Sequence, residues 1–71
     1  MHRVNVISSN IRSAGFDTDH CILEIEFHKS GIYQYINVPY SVFEGLLTAG
    51  SVGRYFNQHV RNRYSTYKVG E

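Results

Sequence analysis

Cys21-Ile22-Leu23-Glu24-Ile25-Glu26-Phe27-His28-Lys29-Ser30-Gly31-Ile32-Tyr33-Gln34-Tyr35-Ile36-Asn37-Val38-Pro39 decides the fold. Residues 21 to 27 alternate apolar and polar types, the period of a half-buried strand, with Cys21, Leu23, Ile25 and Phe27 on the inward side. Lys29-Ser30-Gly31 suits a three-residue hairpin loop in which glycine takes the left-handed position. The second strand, Gly31 to Val38, stops at Pro39, which has no amide hydrogen to donate. This loop predicts His28 opposite Ile32, Phe27 opposite Tyr33 and Ile25 opposite Tyr35, with Glu26 facing Gln34 on the other side. Both tyrosines then share the apolar face.

Working outward, Val4 to Ile7 reads as a short strand, and Ser8-Ser9-Asn10 breaks it with residues that compete for backbone hydrogen bonds. Ile11 to Phe16 forms the next strand, and Asp17-Thr18-Asp19-His20 the turn before Cys21. Beyond Pro39, Ser41-Val42-Phe43-Glu44 has capping-box spacing and opens a helix to about Ala49, with Val42, Phe43, Leu46 and Leu47 as its buried stripe and Gly50 as its stop. Ser51 caps a second helix running to about Tyr64, with Val52, Phe56 and Val60 inward, Tyr55 beside them, and Arg54, Gln58 and Arg61 outward. Thr66 to Val69 is either an edge strand or a loose tail. The predicted fold is α+β: an antiparallel meander of three or four strands followed by two helices packed on one face of the sheet.

At 71 residues the chain, 1–71, is expected to form one domain with a single small core. The hydrophobic share of 42% and ten Tyr and Phe residues exclude a disordered tail. A net charge of +1 implies no particular partner, but the charge is unevenly spread. Residues 1–50 carry three cations and five carboxylates, whereas 51–71 carry Arg54, Arg61, Arg63 and Lys68 against Glu71 alone. Cys21 is the only cysteine, which rules out an internal disulfide and favours a cytoplasmic location. The opening residues reach polar types too soon for a signal-peptide core, and no apolar run approaches a membrane span.

Ser8-Ser9, Gly15-Phe16-Asp17, Leu23 to Phe27, Gly31-Ile32-Tyr33-Gln34-Tyr35, Val38-Pro39, Ser51-Val52-Gly53-Arg54-Tyr55-Phe56-Asn57, Val60-Arg61 and Tyr64, taken in order, resemble the KTSC domain. That family is named after the C-terminal extension of some lysyl-tRNA synthetases and also occurs as small stand-alone bacterial proteins. The resemblance spans nearly the whole chain, departing where Phe16 stands in a position often held by tyrosine. It implies no established activity, and an RNA-binding role through its synthetase attachment.

Three constellations carry candidate chemistry. Arg54, Gln58 and Arg61 at i, i+4 and i+7 place long donors along one helix stripe able to contact phosphates or sugars, with Lys68 extending it; the competing reading is a solvated helix face. Gly50, Ser51 and Gly53, beside Arg54 at a helix start, present free amides to an anion, against simple capping. Tyr33 and Tyr35 are either base-stacking contacts or core, and their register favours core beneath the helices.

Catalytic and metal patterns fail. Ala49-Gly50-Ser51-Val52-Gly53 imitates a nucleophile elbow but joins two helices instead of following a strand. Gly45 to Ser51 has phosphate-loop spacing without the lysine. The four histidines are dispersed, Cys21 has no partner at zinc-ligand spacing, and Asp17 and Asp19 are turn formers, so neither metal nor cofactor is expected. Glu24 and Glu26 read as solvated strand residues. The charge split and what the resemblance implies make the expected function a non-catalytic binding module for tRNA or single-stranded RNA. The alternative is a protein-interaction or homodimerisation module using a sheet face or edge at Ile22 and Ile36.

Overall fold

In the computed structural model, which describes residues 1–71, the chain runs β1 (Arg3–Asn5), β2 (Ile11–Asp17), β3 (Ile22–Phe27), β4 (Gly31–Tyr35), α1 (Tyr40–Thr48), α2 (Val52–His59) and β5 (Thr66–Gly70). The strands form one antiparallel sheet in sequence order, so the architecture is the expected α+β meander with a fifth strand. After the two helices the chain returns to pair β5 with β4, fixing the segment whose strand or tail character the sequence left open.

The central hairpin pairs Phe27 with Gly31, Ile25 with Tyr33 and Leu23 with Tyr35, while Glu24 faces Gln34. This lies two residues away from the predicted register, because His28, Lys29 and Ser30 make the loop and Gly31 joins the ladder. An even shift keeps every side chain on its predicted face. Gly31 has φ +98°, and a Cβ there would lie 2.4 Å from the Gly70 carbonyl oxygen, so glycine is required for both conformation and space. Cys21 does not reach the core. It is exposed at φ 55°, the last residue of the turn between β2 and β3, and its carbonyl accepts from the Val38 amide at 2.9 Å.

Ile11, Ala14, Leu23, Ile25 and Tyr35 from the sheet pack with Val38, Phe43, Leu46, Phe56 and Val60 as the core. The α1 helix lies over β2, where Phe43 stacks on Phe16 with centroids 5.6 Å apart. The α2 helix lies over β3 and β4, where Phe56 meets Phe27 and Tyr35 edge to face at 5.5 and 5.6 Å. Neither helix is long enough to persist alone, and burial of Leu46 and Phe56 at about 1.5–3 kcal/mol each helps hold them on the sheet. The helices approach closely because a Cβ at Gly45 would fall 2.1 Å from the Tyr55 hydroxyl.

The Ser41 capping box does not form. The helix begins two residues earlier than that cap would place it, Pro39 occupies the N-cap with φ −64° and ψ 144°, and no side chain caps it. Proline's fixed φ suits this entry, and its carbonyl takes the Val42 amide at 3.0 Å, leaving Ser41 already inside the helix.

Candidate nucleic-acid interface

Ser51 caps α2 as expected, its Oγ accepting from the Arg54 amide at 3.3 Å. The helix stops at His59, however, well short of Tyr64. The Val60 and Arg61 amides both turn to the Phe56 carbonyl, at 2.9 and 3.0 Å, and Asn62 reverses the chain at φ 62°. Asn tolerates that conformation better than most residues. Val60 is fully buried, and Arg63 reaches back so that its Nε donates to the Gln58 carbonyl at 2.8 Å, satisfying one orphaned acceptor of the helix end. Arg61 therefore lies beyond the helix, and the predicted stripe of Arg54, Gln58 and Arg61 does not form.

The two halves of that stripe line different concavities. Arg54 and Gln58 border an open depression with Gly50, Ser51 and Tyr55. Arg61 borders a groove of about 420 Å³ floored by Phe27, Tyr33, Tyr35 and Phe56, with Asn10, Ser30, Asn57 and Thr66 on its rim. The groove exists because α2 stops short: its Phe56 covers Tyr35, which is buried, but leaves Tyr33 and Phe27 half-exposed in an edge-to-face pair at 5.6 Å. Across the ladder Thr66 lies opposite Tyr35 and Lys68 opposite Tyr33, so β5 turns both side chains toward the groove's side of the sheet. Thus Tyr35 is core, as its register predicted, while Tyr33 is half core and half groove floor.

Electrostatics divide the sheet into two faces. On the face without helices, Arg3 pairs with Glu24, and its Nε donates to Ser13 Oγ at 2.9 Å. Ser13 donates in turn to Glu26 Oε1 at 2.9 Å, and Gln34 Nε2 donates to Glu24 Oε1 at 2.9 Å. Arg12 adds a 3.8 Å contact to Glu26. Glu24, expected to be solvated, is buried within this ladder. The network satisfies the carboxylates and uses up the cations of β1 and β2. Lys29, Arg54, Arg61 and Arg63 take part in no ion pair, and Lys68 is bridged to Glu71 at 3.0 Å. Burial raises the Tyr35 hydroxyl pKa above its ordinary 10.0, opposed by the Thr66 hydrogen bond and by the Arg61 charge. Arg61 and Tyr35 line the same groove.

Elsewhere the predicted sites are less built. Gly50 and Ser51 lie in the open depression near Arg54, but Gly50 has open space where a Cβ would be and needs no special conformation. The Ser51 hydroxyl is already engaged by the Arg54 amide, and Gly53 sits within α2 facing Ser8. Ile22 and Ile36 are half-buried, so the sheet face they were expected to open is partly closed; the exposed apolar residues of the outer strand are Tyr67 and Val69. No three His, Cys, Asp or Glu side chains gather as metal ligands. No helix is long and apolar enough to cross a membrane.

A five-stranded meander carrying two helices, with Tyr33-Gln34-Tyr35 on its fourth strand and a Ser51-capped second helix, defines a small α+β domain that comparison places in a family. The KTSC domain matches residues 7–64, and the chain belongs to that family. It is 43% identical over 67 residues to an uncharacterised protein of Stutzerimonas stutzeri, covering 94% of each chain. A protein of Tsukamurella paurometabola is 42% identical over 59 residues, covering 83% of this chain and 88% of its own. The crystal structure of a KTSC domain protein from Yersinia pestis superposes with a TM-score of 0.95 at 38% identity, covering 97% of both chains.

Asn10, Phe27, Ser30, Asn57 and Thr66 entered no sequence-based site. The cross-strand pairing of a cation with Tyr33 would have pointed to them, but it depends on β5, whose register was not legible.

Proposed function

We propose that this domain is a non-catalytic, cytoplasmic RNA-binding module whose contact surface is the groove between α2 and β5. The observation that carries this reading is Arg61, a guanidinium without an acidic partner, bordering a floor of half-exposed Tyr33 and Phe27. Aromatic rings hold unpaired bases at about 1–3 kcal/mol per base, and a nearby guanidinium supplies a phosphate contact. Lys68 lies opposite Tyr33 but is bridged to Glu71, and the Asn10 and Asn57 amides offer donors and acceptors to base or sugar. Arg54 and Gln58, in their separate depression, take a secondary role. This assignment gives modest affinity with little sequence choice.

Fluorescence anisotropy with tRNA and single-stranded RNA at two salt concentrations tests the proposal. Binding is expected to weaken with salt, to fall about tenfold in Arg61→Ala, and to change much less in Arg54→Ala. Salt-independent binding, or full affinity in Arg61→Ala combined with Tyr33→Leu, refutes the site. The alternative, a protein-interaction or homodimerisation module, has less support: Ile22 and Ile36 are half-covered, and two β5 edges paired antiparallel about Lys68 would oppose like charges.

A further inference from the structure

The aromatic groove does not end at Tyr33. A second concavity of about 350 Å³, lined by Ser9, Asn10, Phe27, His28, Lys29 and Ser30, shares Asn10, Phe27 and Ser30 with it. We infer that the two form one continuous track and that Lys29, at the tip of the β3–β4 hairpin, holds a second phosphate, so that the site spans consecutive nucleotides of a single RNA strand. This rests on the RNA-binding reading above and adds to it a subsite with its own residue.

The hairpin tip is tied down. His28 Nε2 donates to the Ser8 carbonyl at 3.0 Å, and the His28 amide donates to the Asn10 carbonyl at 2.8 Å, so the tip and the 8–10 loop are held together as one wall. Lys29 projects from that wall, exposed and without an ion pair, while Arg61 stands at the other end of the aromatic floor. From Gly31, next to the hairpin that carries Lys29, to Tyr35, which shares the groove with Arg61, the β4 backbone advances four residues, roughly 13 Å at strand spacing, so the floor is longer than one nucleotide step. Arg61 then takes one phosphate, Tyr33 and Phe27 pack against a base, and Lys29 takes a phosphate further along the strand.

The test compares uridine 5′-monophosphate with tetrauridylate on the whole chain, as wild type, Lys29→Ala and Lys29→Arg. Wild type is expected to bind the tetranucleotide at least about tenfold more tightly than the monophosphate in low salt, since it gains one charge-assisted contact. Lys29→Ala should lose about that factor for the tetranucleotide, keep its affinity for the monophosphate, and flatten the salt dependence of log K by about 0.7. Lys29→Arg should retain both. Unchanged tetranucleotide affinity and salt slope in Lys29→Ala, or an equal loss for both ligands, overturns the second subsite while leaving RNA binding intact. Failure of wild type to bind either ligand overturns the underlying reading and the subsite together.

Discussion

Arg3→Met should destabilise this domain more than Glu24→Leu, and the two changes together should be milder than Arg3→Met alone. Arg3 grips Glu24 on the face of the sheet that carries no helix, and the side chains retain 27% and 10% of their exposure. Breaking a fully buried pair by removing one partner costs about 3–5 kcal/mol, because the other charge stays behind in a poor solvent. Here no layer covers the pair and Arg3 still meets water, so screening lowers the expected loss to about 2 kcal/mol. For a domain of 60–100 residues each kcal/mol moves the melting temperature by about 4–8 °C, so Arg3→Met should melt about 8–16 °C lower. In Glu24→Leu no carboxylate is stranded, and Arg3 can turn to Ser13 and to Glu26, whose Oε1 is 3.8 Å from Arg3 Nη2. The double variant removes both charges and leaves Gln34 as the one displaced donor, so at least half of the loss should return. Thermal and urea unfolding followed by circular dichroism gives all three values in one double-mutant cycle. A drop under about 0.5 kcal/mol in Arg3→Met, or a double variant as unstable as the sum of the singles, would show that the pair is an ordinary surface contact.

The serines at the two helix starts separate cleanly. Ser51→Ala should cost about 1 kcal/mol in urea melts, whereas Ser41→Ala, which removes no cap, should be neutral or slightly stabilising. Ultraviolet titration should show Tyr35 ionising above its ordinary 10.0, and in Arg61→Ala higher still, because the opposing positive charge is gone. The sign for stability follows from the raised folded-state pKa: the Tyr35 contribution is intact below 10.0 and is lost as pH climbs from there through the folded value, because the unfolded chain deprotonates first. A Tyr35 transition that does not move in Arg61→Ala would place the guanidinium away from the groove.

Much of the architecture was legible because one face of the sheet is strongly apolar. Leu23, Ile25, Tyr33 and Tyr35 stayed on the predicted side through a two-residue register error, since period-two alternation is blind to even shifts. β5 was ambiguous for the opposite reason: Thr66, Tyr67, Lys68 and Val69 are exposed, so burial leaves no pattern in the sequence. The early end of α2 had a readable signal in Asn62, a residue suited to positive φ, but Tyr64 lies within reach of a continued apolar stripe and masked it. Cys21 looked like core because alternation was carried one residue past the strand, into a turn whose backbone swings its side chain out. The groove depends on both β5 and the α2 terminus. It was the least legible part, although Tyr33 and Arg61 had each been singled out separately.

Because spatial order follows chain order, the first and last strands are the two margins of the sheet, about 19 Å apart at ordinary strand spacing. An affinity handle or fluorophore joined ahead of Met1 therefore emerges beside β1, on the far margin from Tyr33 and Lys68. The same appendage joined after Glu71 emerges next to Lys68 and would crowd the proposed RNA groove. Labelled protein for titration is best built with its reporter at the amino end, and comparing the two placements is itself a measure of which margin a ligand approaches.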